Sequence, residues 1–525
     1  MTRKKVVSLL IMVLCLSIII VTIAFGTRKT QAKNEYLNKT VSGTEKYLVK
    51  NEYLKNPDSI NVVADKSAKF WEKAYDTKYG GFYAYLKRDG SIDESKTYKI
   101  SIIQDRNAFA FARAYQLTGN KEYLDYARKG LDFLYKYAWD DTNGGWYQEM
   151  NRDGSLVSAP IDGMNWNDVK WFTNEIASIA GMSAMYDATR STTDETWLNK
   201  TYSIIDEKLY DSRAGNEGYY EMANRDWSNP NTKSPYPTLD SIPNNMEMYL
   251  LNLDSKYENR MTTLADISIS KIFNTMESRK FGFVDKFDSN WNPMQSQPNT
   301  YSGNLLKPAL YLDWMYLMNP KPEYKAYAEK LTDQIVNGKA YDEKNGGLFS
   351  NLNPDTGELV DNKKDWWIQE AGFNTGLLGY YVSKNDNYLK MADGCMDFFM
   401  NHIYDPEYGD AFEQTDADGS NPLTVKGDYW KEAYHTIELY YYTYLYGNLI
   451  LHNKPVTLYY NIEADKNARN ITLTPVYLGK GKLTITDVTL NGKKFTDFTG
   501  STCMLKLPAN TGGEFKVTFA PVFAK

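Results

Sequence analysis

The sequence predicts an all-α (α/α)6 barrel, in which six helical hairpins close into a ring, with an N-terminal transmembrane helix and a small C-terminal β-sandwich. Three observations lead to this prediction. A loop motif recurs along the chain, amphipathic helix pairs lie between its copies, and alternating polar and apolar residues follow His452.

The recurring loop has the pattern Asp-x-x-x-Gly-Gly-aromatic. Its first copy, residues 76–82, returns at 140–146 after 64 residues without a gap. A repeat at a fixed period marks one supersecondary unit per copy. Looser copies begin at Asp211, Asp342 and Asp405, and a worn copy at 281–283 divides a 131-residue interval, twice the usual period. The chain is therefore expected to contain six units.

Each unit is expected to hold two helices, because apolar residues recur at helical spacing before the loops. These residues are Leu124, Ala127, Leu131, Leu134 and Ala138 in one unit, and Leu389, Ala392, Met396, Phe399 and Ile403 in another. Partner helices are expected over 108–117 and 372–382. The Gly-Gly-aromatic and Asp-Gly segments of each loop are typical of a β-hairpin. A ring is favoured over an open solenoid because it gathers the aromatic and acidic loop residues at one mouth.

An uncharged apolar run at residues 6–25 follows Arg3, Lys4 and Lys5. Twenty such residues suffice to span a membrane, and the basic flank places the N-terminus inside. We therefore expect a single-pass protein of the cell membrane with the bulk of the chain outside the cytoplasm. The alternative is a signal peptide cleaved near Ala32, which would make the protein secreted.

The expected domains follow from these patterns. Residues 1–32 form a cytoplasmic stub and signal-anchor, 33–54 a linker, 55–452 the barrel and 453–525 the β-sandwich. The sandwich is inferred from alternating segments separated by Gly and Asn, with Asn491 and Gly492 as a hairpin turn.

The composition favours a carbohydrate partner. A net charge of −6 and a pI near 5.5 argue against nucleic acid. The 43 tyrosines and 12 tryptophans offer flat faces with a polar edge, which suit the sugar rings of a polysaccharide or oligosaccharide. Three cysteines and three histidines show no zinc spacing, and no loop has the EF-hand pattern. No metal and no cofactor are expected.

Three segments resemble the N-acylglucosamine 2-epimerase family. Residues 104–119 (Gln-Asp-Arg-Asn-Ala-Phe to Leu-Thr-Gly) are similar to the family's first hairpin. Residues 365–371 resemble its Trp-Trp-x-Gln-Ala-Glu-Ala helix, and 430–435 resemble its Trp-Lys-x-x-Tyr-His motif. The resemblance covers roughly 55–450 and implies an (α/α)6 barrel with a sugar site at its mouth.

The family's two-histidine chemistry is only half represented. The resemblance implies that two histidines on opposite faces of the sugar move a proton at C2, and His435 falls on the second of them. The family's Gly-His-x-x-Glu corresponds to Gly-Asn-Leu-Leu-Lys at 303–307, with Asn304 at the histidine. The arginine expected three residues after His435 is Glu438, and the Asn-Met-His-Leu-Leu-Glu motif has lost its histidine and carboxylate at 248–252. Asparagine cannot shuttle protons near neutral pH.

The candidate site residues are expected on the helices between the loops. The candidate catalytic residues are Glu370, His435, Glu247 and Glu175. The candidate substrate-binding residues are Arg106 for a sugar hydroxyl or carboxylate, Trp366, Trp367 and Trp430 for stacking, and Tyr249 and Asn304. For each carboxylate the structural alternative is a solvated or bracing position, and for Arg106 it is a salt bridge within the barrel.

Three functions remain open. Paired carboxylates on this architecture favour a glycoside hydrolase acting on cell-surface or secreted exopolysaccharide. The first alternative is a sugar 2-epimerase or isomerase that uses His435 with a different partner, such as Tyr249 or Glu247. The second is a non-catalytic polysaccharide-binding protein in exopolysaccharide biosynthesis or export.

Overall fold

The computed structural model describes residues 47–161 and 165–523. In this part of the chain, twelve helices build the barrel. They are α1 (Ile60–Glu72), α2 (Ser101–Thr118), α3 (Lys121–Phe133), α4 (Phe172–Thr189), α5 (Thr192–Leu209), α6 (Pro235–Asn252), α7 (Ser255–Ile267), α8 (Gly303–Met318), α9 (Pro322–Val336), α10 (Trp366–Ser383), α11 (Asp386–Phe398) and α12 (Tyr434–Tyr446). Short helical segments lie at Glu52–Lys55, Pro57–Ser59, Leu134–Ala138, Trp166–Asp168, Ser268–Ile272, Phe273–Ser278, Phe399–Ile403, Gly447–Leu451 and Gly500–Thr502.

The even-numbered helices form an inner ring and the odd-numbered helices an outer one. Each inner helix packs against its neighbours in sequence, and α12 packs against α2 to close the circle. The outer partner of α12 is α1, so the first helix of the barrel completes the last hairpin. The predicted ring of six helical hairpins is confirmed.

Burial distinguishes the two rings. The inner helix α2 is buried on nearly all sides, whereas α3 buries one face and exposes Lys121, Glu122 and Asp125. This is the pattern expected when one ring is enclosed by the other. The inner helices α2 and α4 touch at Gly181, where an added Cβ would lie 2.2 Å from the Asp105 carbonyl oxygen. Only glycine allows this approach.

The barrel is not purely helical, because short strands join its loops at one end. They are β1 (Lys99–Ile100), β2 (Glu149–Met150), β3 (Val169–Trp171), β4 (Tyr210–Asp211), β5 (Gly218–Tyr219), β6 (Met222–Asn224), β7 (Thr300–Tyr301), β8 (Asn351–Leu352), β9 (Lys363–Asp365) and β10 (Gln414–Asp416). The pairs β1–β2, β3–β6, β7–β8 and β9–β10 connect neighbouring units. The all-α description is corrected accordingly, and the predicted hairpin within each loop is reduced to β4–β5 and single bridges such as Tyr75–Phe82.

A buried lysine neutralises the loop aspartate in five units. The pairs are Lys99–Asp76 (3.1 Å), Lys170–Asp140 (3.3 Å), Lys233–Asp211 (2.7 Å), Lys364–Asp342 (2.9 Å) and Lys426–Asp405 (3.3 Å). Burial acts to raise the pKa of these aspartates, but hydrogen bonds and charges from their cationic partners hold it below the usual range.

Arginines tie successive units together through the same aspartates. Arg152 binds Asp76 of the preceding unit (2.9 Å), and Arg225 binds Asp140 in the same way (3.2 Å). Arg88 of the first unit binds Asp405 of the last (2.8 Å). The ring of loops is therefore closed by an ion pair between the two ends of the repeat array.

The C-terminal strands form two antiparallel sheets. The strands are β11 (Val456–Ile462), β12 (Arg469–Thr472), β13 (Leu483–Leu490), β14 (Lys493–Lys494), β15 (Phe498–Thr499), β16 (Met504–Leu507) and β17 (Gly513–Pro521). Their orders are β11-β17-β13-β14 and β12-β16-β15. The burial of β11 alternates along the strand, as in a sheet with one covered face.

These sheets cover the C-terminal ends of the inner helices, opposite the loops. Arg190, which follows α4, donates to the Thr472 carbonyl (2.8 Å), and the Glu463 N–H donates to the Thr189 carbonyl (2.8 Å). Gly119, which follows α2, lies against the ring of Tyr459. Barrel and sheets fall within one compact unit, 48–525. The two cysteines of this unit, Cys395 and Cys503, are buried and unpaired.

Within the described residues, no helix combines the length and apolarity that crossing a membrane requires. The prediction of a transmembrane helix, a membrane partner and a cell-membrane location is corrected on this finding. The apolar run at 6–25, from which that prediction came, lies outside the described residues.

Candidate functional site

A cavity opens at the loop end of the barrel, and all six inner helices line it. It encloses about 770 Å³, a volume that includes open solvent at its mouth. The lining residues come mainly from the N-terminal halves of these helices. They are Arg106, Thr173, Ile176, Ala177, Ala180, Asp240, Pro243, Asn244, Lys307, Leu310, Tyr311, Trp314, Glu370, Ala371, Thr375, Tyr434, His435 and Glu438.

One wall carries a cluster of Glu370, His435 and Glu438. The His435 Nδ1 atom lies 3.3 Å from Glu370 Oε2 and 3.8 Å from Glu438 Oε2. The 3.3 Å contact is not aligned as a hydrogen bond. Glu370 and His435 are 4% and 6% exposed. The cluster joins α10 to α12, two neighbours of the inner ring.

Hydrogen bonds fix both carboxylates from behind. Asn374, one turn after Glu370 on α10, donates to Glu370 Oε1. The Tyr434 hydroxyl donates to Glu438 Oε1 (3.2 Å). The Oε2 atoms of both carboxylates are thus the ones directed at His435.

The electrostatics of the cluster favour neutral forms. Burial lowers the pKa of His435 well below its usual value, and the positive charges of Lys307 and Arg106 lower it further. Burial raises the pKa of Glu370 well above its usual value, and the adjacent Glu438 adds to this because two neighbouring carboxylates resist joint ionisation. The site therefore combines an unprotonated imidazole with carboxyl groups that can hold a proton.

Two cations face the cluster. Arg106 on α2 binds Glu432 Oε1 (3.1 Å) and lies over the Tyr434 ring. Lys307 on α8 lies over the Trp367 ring, with its Nζ 5.1 Å from the ring centroid. Among the described carboxylates, none lies within 4 Å of the Lys307 ammonium group. Lys307 is therefore available to a ligand.

The three candidate tryptophans lie near the mouth. The Trp366 and Trp367 rings lie 6.0 and 6.2 Å from the His435 ring. Trp430 is 40% exposed and packs edge-on against Trp171. An exposed aromatic face at the rim can stack on a sugar ring.

Seven candidates are absent from the cavity lining: the three tryptophans and four further residues. Both carboxylate oxygens of Glu175 accept the Trp146 backbone N–H, so this residue holds a Gly-Gly loop. Glu247 accepts the Ser183 hydroxyl (2.5 Å), and Asn304 donates to the Tyr236 hydroxyl (2.9 Å). Tyr249 packs edge-on against Tyr477 in the loop between β12 and β13.

Sequence reasoning did not select Lys307, Asp240, Tyr311 or Glu438 as site residues. A signal for two of them was present. Where the family has glutamate and arginine, this chain has Lys307 and Glu438, so the charge is reversed at both positions. A paired reversal indicates that the two side chains share one electrostatic environment.

The sequence is similar to those of known sugar epimerases and isomerases. The sequence profile of the N-acylglucosamine 2-epimerase (GlcNAc 2-epimerase) family matches residues 58–438. The D-mannose isomerase of Marinomonas mediterranea is 24% identical over 374 residues, which cover 68% of this chain and 89% of that protein. The cellobiose 2-epimerase of Eubacterium cellulosolvens is 23% identical over 410 residues, 73% of this chain and 96% of that protein.

A solved structure shows the same fold. The cellobiose 2-epimerase of Spirochaeta thermophila matches with a TM-score of 0.65 at 22% identity, over 75% of this chain and 96% of that chain. The matches do not support the glycoside hydrolase acting on exopolysaccharide that the sequence favoured; they support the alternative of a sugar 2-epimerase or isomerase. Because the matched profile spans the helices that build the cavity, the chain belongs to the N-acylglucosamine 2-epimerase family.

Proposed function

We propose that the protein is a sugar isomerase that moves a proton between C2 and C1 of a free aldose, with His435 as the base. The observation that carries this proposal is the buried His435, 3.3 Å from Glu370, in the wall of a cavity that all six inner helices line. Relatives named D-mannose isomerase and cellobiose 2-epimerase support a substrate with a mannose- or glucose-type reducing end.

The proposed step begins with the open-chain sugar. His435 Nε2 takes the proton from C2, and a protonated carboxyl group of the Glu370–Glu438 pair gives its proton to O1. The product of this step is an enediol. A positioned base and acid of this kind each contribute to rate when their pKa values suit the operating pH. The return transfer takes the proton of the O2 hydroxyl back to the carboxylate and delivers the His435 proton to C1, which yields the 2-ketose.

We favour isomerisation over 2-epimerisation because one base on one face of the enediol suffices for it. Inverting C2 requires a second proton donor on the opposite face. The chain has three histidines, and two are placed elsewhere. His402 packs against Phe398 at the end of an outer helix, and His452 Nε2 contacts the Leu54 carbonyl oxygen.

The test is solvent exchange. The purified protein is treated with EDTA and incubated in D2O with D-mannose, D-fructose or cellobiose, and the products are followed by NMR. We expect deuterium at C2 of the aldose or C1 of the ketose, together with interconversion of the two. H435Q should abolish exchange, while the matched variant H402Q should retain it.

Three results would count against the proposal. Isotope exchange that persists in H435Q would show that His435 is not the base. A 2-epimer without ketose would replace isomerisation by epimerisation. Binding of the sugars with no exchange would favour a non-catalytic sugar-binding protein.

A further inference from the structure

We propose that Glu370, His435 and Glu438 form a binding site for a divalent transition-metal ion, with Zn²⁺ the best-matched ion. One ligand atom from each residue lies within 4.8 Å of the other two. Around an ion bound at about 2.1 Å, neighbouring ligand atoms of a tetrahedral site lie about 3.4 Å apart. The observed 3.3 and 3.8 Å from His435 Nδ1 to the two carboxylates bracket that separation.

The second observation is an unsatisfied nitrogen. His435 Nδ1 is buried and has no hydrogen-bond partner, and the His435 residue as a whole is only 6% exposed. A buried polar atom without a partner is costly and calls for an explanation. Here the atom is aimed at the Oε2 atoms of Glu370 and Glu438, and an ion between the three would satisfy it.

The carboxylates are already oriented as ligands. The Oε1 atom of Glu370 is held by Asn374 and that of Glu438 by Tyr434. Metal ligands are typically fixed by hydrogen bonds of this kind from surrounding residues. Each Glu therefore presents Oε2 to the ion position with little freedom to turn away.

The ligand set selects among metals. One imidazole nitrogen and two carboxylate oxygens suit Zn²⁺ and its transition-metal neighbours, whereas Mg²⁺ and Ca²⁺ prefer oxygen ligands alone. Three protein ligands leave a fourth position for water or a sugar oxygen. The nearby cations Arg106 and Lys307 oppose binding, but Arg106 is paired with Glu432.

Metal and catalysis compete for the same imidazole. This consequence depends on the proposed function, in which Nε2 carries the free lone pair and Nδ1 the hydrogen. Coordination through Nδ1 reverses this and leaves the hydrogen on Nε2. The metal-bound form therefore cannot take the proton from C2, so Zn²⁺ acts as a reversible inhibitor.

Binding is tested without reference to activity. EDTA-treated full-length protein, freed of chelator, is titrated with ZnCl2 by isothermal calorimetry. We expect one ion per chain, with E438Q and E370Q each weakening the affinity about tenfold or more. The matched variant D240N removes a different cavity carboxylate and should leave the affinity unchanged.

Several results would overturn the site. Absence of saturable binding would do so, as would a D240N loss equal to that of E438Q, since that would indicate general attraction by negative charge. Circular dichroism of each variant shows whether it is folded. If E370Q is not folded, the affinity of E438Q alone tests the site.

Activity then separates the two proposals. We expect Zn²⁺ to suppress isotope exchange in the wild-type protein and EDTA to restore it. Zinc binding without any exchange in the metal-free protein would leave the site standing and remove the proposed function. Exchange without zinc binding would remove only the site, and stimulation by zinc would overturn its inhibitory role.

Discussion

Glu175 lies at the start of α4, where both of its carboxylate oxygens accept the Trp146 backbone N–H at 3.1 and 3.0 Å. In two other units a glutamine does the same work: Gln104 accepts from the Phe82 N–H (2.6 Å) and Gln369 from the Leu348 N–H (2.8 Å). These glutamines also donate to the carbonyl of the same loop residue. Position 175 is therefore a loop clamp, and an amide fits it.

We expect E175Q to stabilise the protein at alkaline pH. Burial raises the pKa of Glu175 from 4.5 to about 7. Its contribution to stability is full below about pH 4.5 and is lost as the pH rises through 7. The difference in unfolding free energy between E175Q and wild type should therefore shift in favour of E175Q by on the order of 1–3 kcal/mol from pH 5 to pH 8. Denaturant unfolding at both values measures this. E175A, which loses the clamp, should be less stable at each pH, and a pH-independent effect of E175Q would contradict the argument.

Lys307 and Glu438 give a second prediction at this scale. Each single reversal, K307E or E438R, places like charges together in a partly buried cavity and should cost about 1–3 kcal/mol of unfolding free energy. The double variant restores opposite charges. Its loss of unfolding free energy should be at least about 1 kcal/mol smaller than the sum of the losses in the two single variants. Additive losses would show that the two side chains do not interact.

The placement of site residues could be predicted only where motif and geometry coincide. Glu370, His435 and Arg106 lie in matched motifs and line the cavity. Glu175 is likewise a buried acid near the start of an inner helix, yet it faces a loop. Spacing along one helix does not show which neighbour a side chain meets. The cluster of Glu370 with Glu438 depends on contact between two helices that begin 68 residues apart in sequence.

At the scale of elements, each repeated loop forms a turn and also places an aspartate in an ion pair with a buried lysine. Asp405 is fully buried and meets both Lys426 and Arg88. The sequence repeat predicted the loops and their number, because Asp and Gly recur at fixed spacing. It did not predict the lysines, which follow at variable distances and become partners only when the loops fold against the next unit.

We expect the two partners of Asp405 to differ in their effect on stability. D405N removes the carboxylate that forms the ion pair with buried Lys426 and should cost about 3–5 kcal/mol. R88A removes a side chain that is 41% exposed, where solvent screens the ion pair, and should cost much less. Denaturant unfolding compares the two. Equal losses would mean that closure of the ring through Arg88, rather than burial of Lys426, determines the stability.

At the scale of the whole molecule, the C-terminal sheets seal the end of the barrel that the cavity leaves free. The sequence predicted strands there from their alternation, but not their docking, because docking depends on single contacts such as Gly119 against Tyr459. Since the sheets bind several inner helices and share one compact unit with them, barrel and sheets are expected to unfold together.

A pair of glycine variants tests this coupling. Gly119 and Gly481 have φ angles of +74° and +70°, so alanine at either costs about 1–2 kcal/mol of backbone strain. At Gly119 the new Cβ would lie 2.9 Å from Tyr459, whereas at Gly481 nothing lies within 4 Å. G119A should therefore lower the midpoint of a single calorimetric transition by more than G481A does. If G119A instead splits the transition in two, the barrel holds its fold without the sheets, and their docking does not stabilise the helices around the cavity.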